Sequence, residues 1–379
     1  MKDLVIADDI NSEPASWEKI KDMYERWATF GAKFGTKQTL KGYAMQLRKD
    51  RPLFNQMMDD PPKSLTYMDA TKVRTYLECQ RQFALSYVLG MRPKQESVSL
   101  VWGTAMHEGI QRILQDTNTD HQSRNALEGF DEEWCKHYQP DDIIASQKHK
   151  TREIAERIFA AYVVNDQFWR SMDIQALEYS FILKHNLTGK IDLIYYDNNY
   201  PDRGLQFTDI KTRGGYGSDF WFNGFYYSIQ MAMYACALRE KFPTLVSSKG
   251  VYFSILGLFA NGSYHADKLI QKKTFFYDHG KLDALHDTIT THRQGMISKI
   301  NASKRQWKLK NFVRNPGACV FCDFKDWCFE VNEPADLLPI EDFSVEHWDV
   351  SKVNEETVEE FKKKLDGNKP SFGIYTGEE

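Results

Sequence analysis

The sequence predicts an α/β fold, because strand patterns rich in β-branched and aromatic residues alternate along the chain with amphipathic helical patterns. The strand patterns cover residues 175–183, 189–196, 205–212, 250–259 and 268–277. The main helical patterns cover residues 101–110, 125–137, 146–169, 220–241 and 279–300. With 379 residues, 42% of them hydrophobic, the chain is long enough for one large domain or two modest ones.

Two of the predicted strands flank the turn-rich stretch 197–204 and form a hairpin that carries the most informative polar side chains. Side chains two apart on a strand share a face, so Asp209 and Lys211 lie together while Ile210 turns to the opposite layer. Strand pairing can bring Asp192 beside Asp209. Two carboxylates and an amine on one patch of sheet predict a site for a divalent cation and an anionic substrate, although ordinary solvated strands also carry such charges.

Composition separates a mildly basic body from an acidic end. Residues 330–379 contain 14 acidic and 5 basic side chains, a balance of −9 within a net charge of −4, so the preceding residues carry +5. Such a body is compatible with phosphate binding without demonstrating it. No apolar run reaches transmembrane length and the N-terminal residues do not resemble a signal peptide, so we expect a cytoplasmic protein. Its six cysteines then favour metal ligation over disulfide bonds.

Three cysteines are closely spaced as C-x2-C-x5-C, at Cys319, Cys322 and Cys328. Three clustered thiols need a fourth ligand, and both zinc and a 4Fe–4S cluster accept four cysteines, although zinc sites usually consist of two local pairs. Cys79 lies in a helix that is predicted to begin near residue 69 and to carry Leu77 on its apolar side. A lone thiol in a helix is commonly just a small buried residue.

Two further helices carry candidate site residues. His107 lies one turn after Gly103, so this helix can approach the sheet closely where the imidazole projects, although a lone histidine is more often a packing residue. Gln230 and Tyr234 are four apart and therefore share a face of the helix predicted at 220–241. Core packing with a surface amide is the alternative for that pair.

A basic and aromatic stretch precedes the clustered cysteines. Its composition suits single-stranded nucleic acid, which binds through phosphate contacts and base stacking, and it also suits an ordinary solvated surface. The basic residues of the stretch that we predict to contact DNA are Lys304, Arg305, Lys308 and Lys310.

Together these segments resemble the PD-(D/E)XK nuclease superfamily. The similarity is to the branch that contains the RecB-type nuclease domain, the CRISPR-adaptation nucleases and the iron–sulfur single-strand exonucleases, and it covers roughly residues 64–329. The motifs of that branch are G-x-x-x-H, G-x-x-D, D-Φ-K-T with Φ apolar, and Q-x-x-x-Y. In this sequence they stand as Gly103/His107, Gly189/Asp192, Asp209-Ile210-Lys211-Thr212 and Gln230/Tyr234.

The resemblance implies a mixed sheet flanked by helices, with a helical insertion, and metal-dependent hydrolysis of DNA phosphodiester bonds. The catalytic residues that it implies are Asp192, Asp209 and Lys211. The ligands that it implies for Mg²⁺ or Mn²⁺ are His107, Asp192, Asp209 and the carbonyl of Ile210. It also places Gln230 beside the scissile phosphate, with Tyr234 supporting it.

The same resemblance implies a 4Fe–4S cluster in the C-terminal segment, with Cys79 as the fourth ligand beside Cys319, Cys322 and Cys328. Such a cluster would close a very long loop and fix both ends of the nuclease core. In the family a proline usually follows the first ligand, and here Gln80 takes that place. The remaining two cysteines are then expected to be buried free thiols, namely Cys135 and Cys236.

We therefore predict an N-terminal helical extension at 1–60, a nuclease domain with its cluster at 61–330, and an acidic tail at 331–379. The tail is either a solvated appendage or a segment that binds a protein partner or mimics DNA. The expected function is an exonuclease preferring single strands or ends in DNA recombination, repair or processing. A non-catalytic DNA-binding scaffold is the alternative. A nuclease subunit of a helicase or integration complex also stays open, because the sequence lacks the G-x-x-x-x-G-K-[ST] motif of an ATPase motor.

Overall fold

The computed structural model describes residues 67–88, 90–94, 96–115, 121–139, 149–165, 169–263, 265–303, 312–328 and 343–345. The chain divides into two compact units. The first, called the sheet unit here, comprises Met68–Thr71 and Glu96–Thr291; the second, called the cysteine unit, contains Lys72–Gln95 and His292–Val350. The domain boundaries predicted after residues 60 and 330 lie outside the described residues. In the part of the chain that is described, no helix combines the length and apolarity needed to cross a membrane.

The helices are α1 (Ala70–Glu78), α2 (Gln80–Phe83), α3 (Val98–Gln115), α4 (Gln122–Trp134), α5 (Arg152–Val164), α6 (Asp219–Tyr226), α7 (Ile229–Lys241), α8 (Ala266–Leu269), α9 (His279–Ser303) and α10 (Lys325–Cys328). The strands are β1 (Met91–Pro93), β2 (Met172–Ile182), β3 (Thr188–Asp197), β4 (Leu205–Gly214), β5 (Gly250–Ala260), β6 (Ile270–Asp278) and β7 (Phe343–Val345). A π-helical turn covers Ala84–Val88, and 3-10 turns cover Lys184–Asn186, Pro201–Arg203 and Pro316–Phe321.

A five-stranded mixed sheet, in the order β2-β3-β4-β5-β6, forms the centre of the sheet unit. The β4–β5 pair is parallel, whereas the β2–β3, β3–β4 and β5–β6 pairs are antiparallel. Parallel neighbours need a crossover connection rather than a tight turn, and α6 and α7 lie in that connection. The predicted α/β architecture with a mixed sheet and flanking helices is thereby confirmed.

One face of the sheet packs against α3, α4 and α5. Ile210, Leu256 and Leu258 on this face share one buried cluster with Trp102 and Phe130, whose rings lie 5.3 Å apart. Edge-to-face aromatic packing of this kind contributes about 1 kcal/mol beyond the area that it buries. The predicted helical insertion therefore supplies a large part of the core of the sheet unit.

The other face packs against α7, on which every residue from Met231 to Leu238 is buried. Tyr234 contacts Phe207 of β4 edge to face, with ring centroids 5.9 Å apart. The single helix predicted over 220–241 is wrong, because the chain breaks at Tyr227 and Ser228 into two helices. Ser228 starts α7 as its N-cap, and its hydroxyl accepts a hydrogen bond from the N–H of Gln230 at 3.2 Å.

Cys79 interrupts the first helix of the cysteine unit. Its backbone is extended, with φ −158° and ψ 106°, so α1 ends at Glu78 and α2 begins one residue later. Leu77, predicted on the apolar side of this helix, is 45% exposed, whereas Phe83, predicted on the same side, is fully buried. The break frees the carbonyl of Glu78 to accept a hydrogen bond from Asn315 Nδ2 at 2.7 Å, which joins two segments far apart in sequence.

Candidate active site

The hairpin of β3 and β4 opens where its two aspartates stand. Its pairing runs from Tyr196 opposite Leu205 to Leu193 opposite Thr208 and stops there. Beyond that point the N–H of Ile210, which a continued ladder would use, donates to Asp192 Oδ2 at 2.7 Å. The end of the ladder therefore turns a backbone donor toward the carboxylate of Asp192.

Asp209 and Lys211 share a face of β4, as predicted. The carboxylate of Asp209 is completely buried, and its Oδ2 forms an ion pair with Lys211 Nζ at 2.7 Å. Its Oδ1 has no hydrogen-bond partner within the described residues. A buried carboxylate oxygen without a partner is costly unless a cation or donor joins it, so this oxygen is a candidate ligand atom.

His107 and Glu178 complete the group around Asp192. His107 Nδ1 lies 3.7 Å from Asp192 Oδ2, and one donor atom each from His107, Glu178 and Asp192 lie within 4.8 Å of one another. A methyl group at Gly103 would lie 3.5 Å from Thr212 Oγ1, so α3 runs close to β4 one turn before the histidine. This agrees with the close approach that the G-x-x-x-H pattern predicts.

Glu178, on the strand predicted at 175–183, is suggested by the sequence as a support for the metal site, with an ordinary exposed glutamate as the alternative, and is not in the predicted ligand set. The register places Leu177 opposite Leu193 and Tyr179 opposite Ile191, so Glu178 stands across from Asp192. Its φ of 54° lies in the left-handed region, which is strained for a side chain of this size. Its carboxylate also forms an ion pair with Lys190.

Gln230 and Tyr234 lie on α7 as the Q-x-x-x-Y spacing predicts. Gln230 Nε2 donates to Tyr234 Oη at 2.9 Å, and burial raises the pKa of Tyr234 well above its ordinary value, assisted by the carboxylates of Asp209 and Asp192. The phenol therefore stays protonated beside them. Gly189 is required for this packing, because a Cβ there would lie 2.9 Å from the Tyr234 ring and 2.8 Å from Phe181.

Burial dominates the electrostatics of the site. It raises the pKa of Asp192 and of Asp209 to about 6, and in both cases the ammonium of Lys211 opposes the rise. Burial also lowers the pKa of His107, with Lys211 acting in the same direction, so the imidazole is neutral and able to ligate a metal. A set of one imidazole and several carboxylates, whose charge Lys190 and Lys211 compensate only in part, fits a divalent cation such as Mg²⁺ or Mn²⁺.

The four predicted cluster ligands lie together in the cysteine unit. Cys79, Cys319, Cys322 and Cys328 line one small cavity that is partly open to solvent. Burial raises the pKa of the Cys322 thiol to about 11 and also raises that of Cys328. The other two cysteines lie in the sheet unit; Cys236 is buried as predicted, whereas the prediction that Cys135 is buried is wrong, since it lies exposed at the end of α4.

The predicted basic stretch with Lys304, Arg305, Lys308 and Lys310 lies outside the described residues, so its contact with DNA stays a prediction. The carbonyl of Ile210 as a metal ligand also stays a prediction, and the side chain of Ile210 is buried in the opposite layer, as expected.

Carboxylates and a lysine stand on the mixed sheet where two strands separate, with the imidazole of His107 from α3 beside them, and this set of side chains suits hydrolysis assisted by a metal ion. The chain belongs to the PD-(D/E)XK nuclease superfamily, whose family model matches residues 68–329. As a member it is a nuclease, a hydrolase acting on nucleic acid. A crystal structure of a candidate exonuclease from Eubacterium rectale is similar at 13% identity with a TM-score of 0.43, covering 69% of this chain and 88% of that chain. No curated protein matches the sequence.

Because Asp209 is buried, we predict that the protein without metal is less stable at neutral pH than at pH 4.5. The pKa of Asp209 is raised from 3.8 to about 6, so the folded state binds this proton more tightly and stability falls as pH rises between those values. This rise in the pKa of Asp209 lowers the free energy of unfolding at pH 7 by up to about 3 kcal/mol. Asp209→Asn should therefore raise the free energy of unfolding of the metal-free protein at pH 7, and should do so much less at pH 4.5.

Urea unfolding in EDTA at both pH values measures this difference, and exposed Asp202→Asn is the matched control. A wild type as stable as the Asp209→Asn variant at pH 7 would show that burial does not penalise this carboxylate.

Proposed function

We propose that this chain is a metal-dependent deoxyribonuclease that degrades DNA from single-stranded ends. The observation that carries the proposal is the buried group at the opening of the hairpin: Asp192 and Asp209 with raised pKa values, neutral His107 and the ammonium of Lys211. A purely structural role does not account for two carboxylates whose burial is only partly compensated.

In this proposal His107, Glu178 and Asp192 hold the cation, and the unpartnered oxygen of Asp209 is available to the same ion. A bound Mg²⁺ or Mn²⁺ supplies Lewis acidity and lowers the pKa of water. Lys211 positions the attacking water and offsets the charge that develops on the phosphate in the transition state. Its ammonium is half-buried, so it acts at a dielectric below that of water.

Gln230 is the residue proposed to contact the scissile phosphate. Its side-chain N–H donates to Tyr234, whose ring is held by edge-to-face packing against Phe181 and Phe207. This hydrogen bond fixes the orientation of the amide before substrate arrives, which reduces the entropy lost on binding. Tyr234 is thus proposed as a positioning residue for Gln230.

We also propose that the cysteine unit holds a 4Fe–4S cluster. Among the described residues no three cysteine sulfurs lie within 4.8 Å of one another, whereas thiolates on one zinc ion would stand about 3.8 Å apart at Zn–S bonds of about 2.3 Å, so this spacing favours a polynuclear cluster. Arg81 and Arg314 lie close to Cys328, with Arg314 donating to its carbonyl at 2.6 Å. Their charge compensates the thiolates that such a cluster requires.

The proposed activity is tested with two DNA substrates of the same sequence, one a linear single strand with labelled ends and the other its ligated circle. With Mn²⁺ or Mg²⁺ the linear strand should be degraded to short products while the circle survives, and Asp209→Asn should degrade neither. Cleavage of the circle would show an endonuclease, and tight binding without cleavage of either would favour the non-catalytic scaffold. A linear RNA of matched sequence tests the preference for DNA.

The expected role in recombination, repair or processing and the cytoplasmic location stay predictions. So does the protein partner of the acidic tail, which lies outside the described residues except for residues 343–345. The preference for DNA ends is supported by the resemblance of the motifs, and the assay with the circular strand tests it.

A further inference from the structure

The short helix α6 exposes aromatic side chains that a stable core would be expected to bury. Phe220 is 90% exposed and Tyr227, the residue directly after the helix, is 77% exposed. They are seven positions apart, so they lie on the same side of the helix and about 10 Å apart along its axis. The intervening aromatic residues Trp221 and Phe222 instead pack against Phe259, with ring centroids 5.2 and 6.2 Å away.

The surface between the two exposed rings is open. Gly224 lies there, and a Cβ added to it would meet no atom within 4 Å. Glycine inside a helix costs about 1 kcal/mol relative to alanine, and here neither packing nor a left-handed backbone requires it. The neighbouring Asn223 is also exposed. We call the surface formed by Phe220, Asn223, Gly224 and Tyr227 the aromatic face.

This helix lies beside the candidate active site. Lys211 of β4 is paired in register with Gly257 of β5, and neighbours in register point to the same side of the sheet. A Cβ at Gly257 would lie 3.0 Å from Trp221, so α6 covers the sheet on the side of Lys211. Arg213, two residues beyond Lys211 and exposed, lies 5.7 Å from the Trp221 ring.

We propose that the aromatic face binds the bases of a single nucleic-acid strand next to the cleaved phosphate, with Arg213 contacting the backbone between them. The inference rests on the proposed function and adds a binding surface to it. Unpaired bases stack on exposed aromatic side chains irrespective of sequence. About 10 Å accommodates two bases between two rings at a stacking distance of about 3.4 Å. Paired bases cannot stack there, so this surface selects single strands.

The test measures binding in the Asp209→Asn background with Mg²⁺, using a fluorescent 20-nucleotide oligo(dT) and an abasic strand with the same number of phosphates. Phe220→Ala and Tyr227→Ala should each weaken oligo(dT) binding by about 5-fold or more, which is the low end of measured stacking contributions. Affinity for the abasic strand should not change. Gly224→Leu should weaken oligo(dT) binding similarly, because its side chain occupies the open surface.

Tyr200→Ala is the matched control, since Tyr200 is an exposed tyrosine in the turn that closes the β3–β4 hairpin, away from the strand opening at Asp192. Unchanged oligo(dT) affinity in all three variants, or an equal loss on the abasic strand, would overturn the inference. If the otherwise wild-type protein does not cleave DNA but the three variants still lose oligo(dT) affinity selectively, the proposed function fails and the aromatic face stands. If it cleaves and the variants bind normally, only the aromatic face fails.

Discussion

Asp192→Asn is expected to reduce DNA cleavage by about 1,000-fold or more and to abolish tight metal binding. The carboxylate is the centre of the ligand group, since His107 and Glu178 both lie within reach of it. Asparagine keeps an oxygen that can accept the hydrogen bond from the N–H of Ile210, so the strand opening should persist while the charge is lost. A loss of this size corresponds to about 4 kcal/mol of transition-state stabilisation.

Lys211→Met should lose a comparable amount of turnover and keep the metal, because an ammonium is not a ligand. Its removal also raises the pKa of Asp192 and Asp209 further, since Lys211 lowers both at present. Metal binding should therefore be compared at pH 8.5, where both carboxylates are ionised in either protein. Calorimetric titration with Mn²⁺ and single-turnover cleavage separate the two defects.

Glu178→Gln distinguishes the proposed ligand set that includes Glu178 from the one predicted without it. If Glu178 is a ligand, Mn²⁺ affinity should fall by at least about 10- to 100-fold, because the loss of a residue that only orients a ligand already costs that much. Exposed Lys184→Ala is the control for charge changes near β3 and should behave as wild type. Full cleavage by Asp192→Asn, or loss of metal in Lys211→Met at pH 8.5, would contradict the proposed roles.

The hairpin and its charged face could be predicted from sequence because strand periodicity is local. Alternation alone places Asp209 and Lys211 together and Ile210 in the other layer, and the structure confirms both. Helical spacing likewise places Gln230 beside Tyr234. In each case the information lies within five residues of chain, and no tertiary contact is needed to establish it.

The rest depends on contacts between distant segments. Glu178 faces Asp192 only because of the β2–β3 register and a left-handed residue inside a strand, neither of which alternation predicts. The breaks at Cys79 and at Ser228 fall inside continuous helical patterns. The N-cap at Ser228 explains the break there. The break at Cys79 cannot be predicted locally, because the carbonyl of Glu78 that it frees is bound by the distant Asn315.

Cys79→Ser should remove the iron that we propose the cysteine unit binds, from about four atoms per chain to fewer than one. Of the four proposed ligands, Cys79 alone lies outside the C-terminal segment, and Cys319 follows it by 240 positions. A covalent link closing a loop of that length restricts the unfolded chain by about 5 kcal/mol in the loop-closure model. The variant should therefore unfold at lower urea and expose the cysteine unit to protease.

Exposed Cys135→Ser, in the sheet unit, is the matched control and should keep both iron and protease resistance. Iron and sulfide analysis of protein purified without oxygen measures the first effect, and mass analysis of limited-digestion fragments locates the second. Stoichiometric zinc without iron in the wild type would show that the site binds zinc and not an iron–sulfur cluster. The predicted loss of stability in Cys79→Ser would then still apply. If the Cys79→Ser variant retains wild-type iron and protease resistance, Cys79 is not a ligand. The fourth ligand beside Cys319, Cys322 and Cys328 would then be a donor other than Cys79.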